Sequence, residues 1–197
     1  MPDPSPFLTL SRHEPPRVSP KHALVSLSRS IEARARSAGP SARLWVCLQH
    51  VRFHTGRTRL LHRHLADSGV AVHVYGVGVR DGVPGPGLLR AHDVSEFGLL
   101  AAEWNVLLLT PNRGLGLSAR ELPETRDLPD ARRRFEWVVS EDADDVRYAV
   151  ASLPDDPFVV GHDFGRPRGA DQPRSETGVP AYASSAAVTS SVIGHDV

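Results

Sequence analysis

The sequence predicts an α/β fold, a layered sandwich whose mostly parallel sheet of four to five strands is flanked by helices. Three short, nearly continuous apolar runs, ARLWVCL, VAVHVYGVGV and WNVLLLT, suit strands covered on both faces. Segments of helical period alternate with them, which implies a layered domain over residues 19–154. Apolar residues make up 40% of the 197-residue chain, enough for one core if they cluster.

Residues 1–18 are rich in proline and polar groups and are expected to be disordered. Order is expected from Ser19-Pro20, where serine can cap a helix and proline loses nothing at its first position. Leu24, Leu27, Ile31 and Ala35 or Ala38 follow at helical spacing, with Arg29, Glu32, Arg34 and Arg36 elsewhere, and Gly39-Pro40 stops the pattern. The first strand runs to about Leu48. A helix over 55–68 turns Leu60, Leu61 and Leu65 inward and ends at Gly69. VAVHVYGVGV then closes a strand–helix–strand unit, which a right-handed crossover places in parallel register.

Residues 80–92 form a glycine- and proline-rich loop, and SEFGLLAAE reads as one or two helical turns capped by Ser95. After the third strand, PNRGLGLSARELP reads as a weak helix, because Gly114 and Gly116 each lower helix propensity by about 1 kcal/mol. RFEWVVS is the fourth strand. In EDADDVRYAVASL, Ser140 can cap the start and the acidic residues suit the positive end of a helix. Val146, Ala149, Val150 and Leu153 form its inner face. Trp45, Trp104 and Trp137, one on each of three strands, are expected in the core. Residues 155–197 are of low complexity and expected to be a disordered tail.

Composition bounds the function. Net charge is zero, so long-range attraction to nucleic acid or an anionic membrane has no global basis, and neither is expected as a partner. Arg132-Arg133-Arg134 is read as a solvated edge. Cys47 is the only cysteine, which excludes an internal disulfide. The amino terminus does not read as a secretory signal, and no apolar run approaches the roughly 20 residues of a membrane span. A soluble, cytoplasmic protein is expected.

CLQHVRFHTGRTRLLHRH places one cysteine and four histidines within positions 47–64. Zinc chemistry needs three or four such ligands converging. Here Cys47 falls on a strand, His50 and His54 in the following turn, and His62 and His64 point apart around a helix. Completing a site would need His73 or His92, so packed or solvated histidines are the simpler reading and no metal or other cofactor is expected. GVGVRDG runs into Pro84 and Pro86 instead of a helix, so it is no dinucleotide fingerprint. TPNRGLG offers backbone N–H groups and Arg113 to an anion, though a plain turn accounts for it. No Gly-x-Ser-x-Gly elbow is present, and no catalytic residue is assigned.

Ligands of open α/β sheets collect beyond the carboxyl ends of the strands. Those ends are Gln49, His50, Arg52 and Phe53; Tyr75; Thr110, Asn112 and Arg113; and Ser140 with Glu141. They are expected to line one ligand-binding surface of aromatic, cationic and hydrogen-bonding groups.

The order of pieces, LVSLSRSIEARA, then LWVCLQHVRFHTGRTRLLHRHLA, then EWNVLLLTP with SARELP behind it, then RRFEWVVSEDADDVRYAVASL, resembles the DICT domain over residues 22–153. That family is a bacterial module of diguanylate cyclases and two-component systems. The resemblance implies a sensory, signal-input role without established catalytic residues or an agreed ligand, and an output supplied by a partner protein. A small-molecule or metal-binding enzyme using the strand-end crevice is the alternative.

Overall fold

The computed structural model describes residues 5–79 and 88–154. The expected tail over 155–197 and most of the expected loop, residues 80–87, lie outside the described residues.

Among the described residues, seven strands form one mixed sheet: β1 (Arg17–Pro20), β2 (Arg43–His50), β3 (Ala71–Val77), β4 (Leu89–Asp93), β5 (Glu103–Thr110), β6 (Arg113–Glu121) and β7 (Arg134–Ser140). Their spatial order is β1-β7-β6-β5-β2-β3-β4. The pairs β2/β3 and β3/β4 are parallel, whereas β1/β7, β7/β6, β6/β5 and β5/β2 are antiparallel. The expectation of a mostly parallel sheet of four to five strands is therefore corrected. The sheet is larger and mostly antiparallel.

The cause is residues 113–121, read above as a weak helix. They form β6, joined to β5 by Pro111-Asn112, and so short a connection permits only antiparallel pairing. The alternation is visible once the segment is taken as a strand. Leu115, Leu117 and Ala119 join the core on one face, and Gly114, Gly116 and Ser118 fall on the other. Both glycines sit where another element comes close. A Cβ on Gly114 would lie 2.6 Å from Cα of Ala143, and one on Gly116 would lie 3.1 Å from the Leu107 side chain.

Among the described residues, four α-helices cover the sheet: α1 (Pro6–Leu10), α2 (Lys21–Ala38), α3 (Gly56–Asp67) and α4 (Ala143–Ala151). Leu24, Ile31 and Ala35 of α2 and Leu65 of α3 pack with Leu44, Val46, Val72 and Val106 on one face. Leu10 of α1 and Val146, Ala149 and Val150 of α4 pack with Trp45, Cys47, Tyr75 and Leu107 on the other. Each fully buried Val or Leu contributes about 1.5–3 kcal/mol relative to exposure. The inner face expected for α4 is the one observed, Leu153 included.

The amino-terminal segment differs from the disordered stretch expected. Ser5 accepts the Leu8 N–H and Pro6 opens α1, the serine–proline start expected at Ser19-Pro20. Phe7 and Leu10 are buried, and β1 pairs with β7. At Ser19-Pro20 the helix does follow, but the Ser19 hydroxyl accepts from the Trp137 indole N–H (3.0 Å) and caps nothing. Within SEFGLLAAE only a short 3-10 turn forms, Leu99–Ala102.

Candidate ligand-binding crevice

Because the sheet is mostly antiparallel, the predicted site residues do not gather at one rim. Gln49 and His50 end β2 on the rim where β5 begins and β6 finishes. Thr110, Arg113 and Ser140 lie on the opposite rim, where β5 ends and β6 begins. Asn112, Arg113 and Glu141 line a separate surface concavity there with Arg34 of α2. Ser140 donates to the Asp145 carboxylate (2.9 Å) and accepts the Asp142 N–H, while Asp142 itself caps α4 by accepting from Asp144 and Asp145. Tyr75, near the end of β3, is paired with Cys47 close to the first rim, but its side chain takes the other face of the sheet. It is buried on the α1/α4 face and stacks on His92, ring centroids 4.3 Å apart.

The first rim holds a crevice of about 370 Å³ between α2 and α3. Val25, Val46, Leu48, Leu61, Phe53 and Trp104 make its walls and floor apolar. Ser28, Gln49, Thr55 and Thr58 supply hydrogen-bonding groups, and Lys21, Arg29, Glu32, Arg57 and Asp130 supply charge.

Gln49 anchors one end. Its φ of 64° is left-handed, a conformation unusual for a residue with a side chain, and the β2/β3 register shifts between Cys47 and His50. The shift turns the amide toward Glu121 and Arg133. Its NH2 donates to Glu121 (3.1 Å) and to the Ala102 carbonyl (3.2 Å), and its oxygen accepts from Arg133 (3.0 Å). Arg133 forks onto both oxygens of Glu121 and reaches Asp130 at 3.1 Å.

Arg133 corrects the reading of the arginine triplet as a solvated edge. Arg132 and Arg134 are exposed, but Arg133 is 4% exposed. Nothing local distinguishes it from its neighbours. Its partner Glu121 ends β6, whose residues read locally as a weak helix, so no local pattern marks the pair.

Phe53 is ringed by cations. The Lys21 ammonium and the Arg52 and Arg133 guanidinium carbons lie 4.8, 4.9 and 4.7 Å from its centroid. Lys21 also pairs with Asp130 at 2.5 Å, and this contact leads the causes holding the Asp130 carboxyl below its ordinary value. His50 accepts the Arg52 N–H on Nδ1.

Behind the crevice lies a row of buried groups. His54 Nε2 is 3.2 Å from His62 Nδ1, and His62 Nε2 is 3.6 Å from a Glu32 oxygen. His54, His62 and Glu32 are all at most 6% exposed. His54 Nδ1 and His62 Nε2 have no hydrogen-bond partner among the described residues. Burial first, then His62 and Arg59, pushes His54 down to about 4. The expected inner face of α3 is corrected by the same row: His62 points inward beside Leu65, and Leu60 is 54% exposed. His64 is exposed, as two-residue spacing on a helix requires.

The dense cysteine–histidine stretch is thus divided between the two faces of the sheet. Cys47 lies on the α1/α4 face, where burial pushes its thiol up to about 12 and keeps it neutral. His73 Nδ1 and His92 Nε2 meet each other at 3.2 Å on β3 and β4. Among the described residues no group of three His, Cys, Asp or Glu side chains is placed to hold a metal ion. No helix among them is long and apolar enough to cross a membrane.

No family model and no curated protein matches the chain. Among solved structures, the chain is similar to TrmBL2, an archaeal chromatin protein described as showing a novel mode of DNA binding. Identity is 11% and the TM-score 0.40, over 68% of this chain and 48% of that one, so the chain spans about half of that neighbour's length. The exclusion of nucleic acid as a partner, drawn from net charge, is withdrawn against this neighbour. A likeness of that size carries no argument about what this chain binds.

Proposed function

We propose that the chain is a cytoplasmic sensory domain of the DICT kind, which binds a small molecule in the α2/α3 crevice and signals through a partner protein. The crevice carries the reading. A concave site with an apolar, partly aromatic floor and a few polar and charged groups at its rim is the usual form of a small-molecule site. Its two walls are separate helices, so an occupant that bridges them changes how α2 and α3 sit on the sheet. That is the physical requirement for passing occupancy to a partner. The expected convergence of strand ends no longer supports the reading, since only Gln49 and Phe53 of the predicted residues line this crevice.

Binding to the native state raises its stability, by about 2.7 kcal/mol at a hundredfold excess over the dissociation constant. A thermal-shift panel of small metabolites should therefore contain compounds that stabilise the protein and quench the half-buried Trp104. Thr58→Trp, which fills the crevice, should abolish both responses. A panel that leaves the two proteins indistinguishable removes this function.

The second reading, an enzyme at the same crevice, has one observation in its favour. Glu32, His62 and His54 form a carboxylate–imidazole–imidazole row of the kind that relays protons. Turnover of a stabilising compound, lost in His62→Gln, would select it.

A further inference from the structure

We infer that the α2/α3 crevice takes a small organic anion, an apolar or single-ring body carrying one carboxylate or phosphoryl group. The inference rests on the crevice being a ligand site and adds the ligand's charge and size. Most charges around the mouth are already committed. Lys21 holds Asp130 and Arg133 holds Glu121 and Asp130, while Glu32 is buried with an oxygen 3.6 Å from His62 Nε2. Arg29 of α2 and Arg57 of α3 differ. Both line the crevice, both are exposed, and among the described residues neither has a carboxylate within ion-pair distance.

One arginine on each wall thus lines a cleft whose floor is apolar. An anion between them would receive charge-assisted hydrogen bonds from both helices, and guanidinium geometry matches carboxylate and phosphoryl oxygens. The first turn of α3, which carries Arg57, adds the positive end of a 12-residue helix. A ligand cation would meet these two unpaired charges and a Phe53 ring already surrounded by cations. The volume of about 370 Å³ lies at the small end of ligand sites, and two guanidiniums match one anionic group better than a polyphosphate chain.

The test titrates the full chain with phenylacetate, phenyl phosphate, phenylacetamide and phenethylamine, followed by calorimetry and Trp104 fluorescence. An anion should bind at least about tenfold more tightly than the neutral amide, with an affinity that falls as salt rises. Arg29→Gln and Arg57→Gln should each remove that preference without changing the melting temperature. Whichever of carboxylate and phosphate binds more tightly identifies the group, and either result supports the inference. Binding of the amide or the amine as tight as that of both anions overturns the anion assignment and leaves the crevice a ligand site. No binding by any of the four overturns the anion assignment, and a metabolite panel that also leaves Thr58→Trp indistinguishable from the parent protein overturns the ligand site with it.

Discussion

The guanidinium of Arg133 contacts both carboxylate oxygens of Glu121, Nε to Oε1 at 2.5 Å and Nη2 to Oε2 at 2.7 Å, with both side chains buried. The pair joins the end of β6 to the start of β7 and, through Gln49, to the end of β2. Removing one member leaves a buried charge uncompensated, which costs about 3–5 kcal/mol. Arg133→Ala should destabilise the protein by that amount in urea unfolding. The joint change Arg133→Met with Glu121→Leu should recover most of the loss, because an apolar pair leaves no charge stranded. Arg132→Ala, at an exposed neighbour, should change stability by less than about 0.5 kcal/mol.

Gly114 separates the strand from the helix expected at the same residues. On a helix, Gly114→Ala would stabilise by about 1 kcal/mol. On β6, the new Cβ meets the Ala143 Cα at 2.6 Å and the Asp142 carbonyl oxygen at 2.8 Å, both backbone atoms at the start of α4. Overpacking of this kind costs about 1–3 kcal/mol, so loss of stability is expected. Gly56→Ala is the control. Nothing lies within 4 Å of its added Cβ, and that substitution should be neutral or stabilising by up to about 1 kcal/mol. Denaturant midpoints of the two variants decide the matter.

The buried His54 makes stability depend on pH. Its folded value of about 4 lies below the ordinary 6.5, so between these values the unfolded chain binds more protons than the folded one. Stability is full above about 6.5 and falls as pH falls through that window, by an amount on the order of 2 kcal/mol. The groups facing the ring are His62, with Glu32 behind it, and Arg59. Urea unfolding at stepped pH should show this slope, and His54→Gln should flatten it. Asp130 and Asp142, both held below 3.8, lose their contributions only at lower pH.

Glu103 acts with the opposite sign. Burial raises its carboxyl above 4.5 against the pull of Ser5, Asn105 and the Phe7 N–H, so its contribution is full below 4.5 and is lost as pH rises through the folded value. Glu103→Gln should therefore lose less stability on raising the pH than the parent protein does. The same carboxylate accepts the Ser5 hydroxyl (2.6 Å) and the Phe7 N–H (3.3 Å), holding α1 to the sheet. Glu103→Ala should expose residues 5–10 to proteolysis and speed their amide exchange while the central strands stay protected.

Where the chain carries an uninterrupted local pattern, the sequence by itself determined the element. The apolar runs of β2, β3 and β5 and the inner face of α4 follow from residue spacing alone. The parallel β2–α3–β3 unit follows from the handedness of a crossover. Tertiary structure alone decided β6, because its glycines are there for the close approach of α4, which no local window contains. It also decided strand direction, and with it which strand ends share a rim. Burial of Arg133 belongs to the same class, since it depends on Glu121, which only the pairing of β6 with β7 places beside it. A charged side chain goes inside only where the fold supplies its partner, and that partner is a property of the assembled chain.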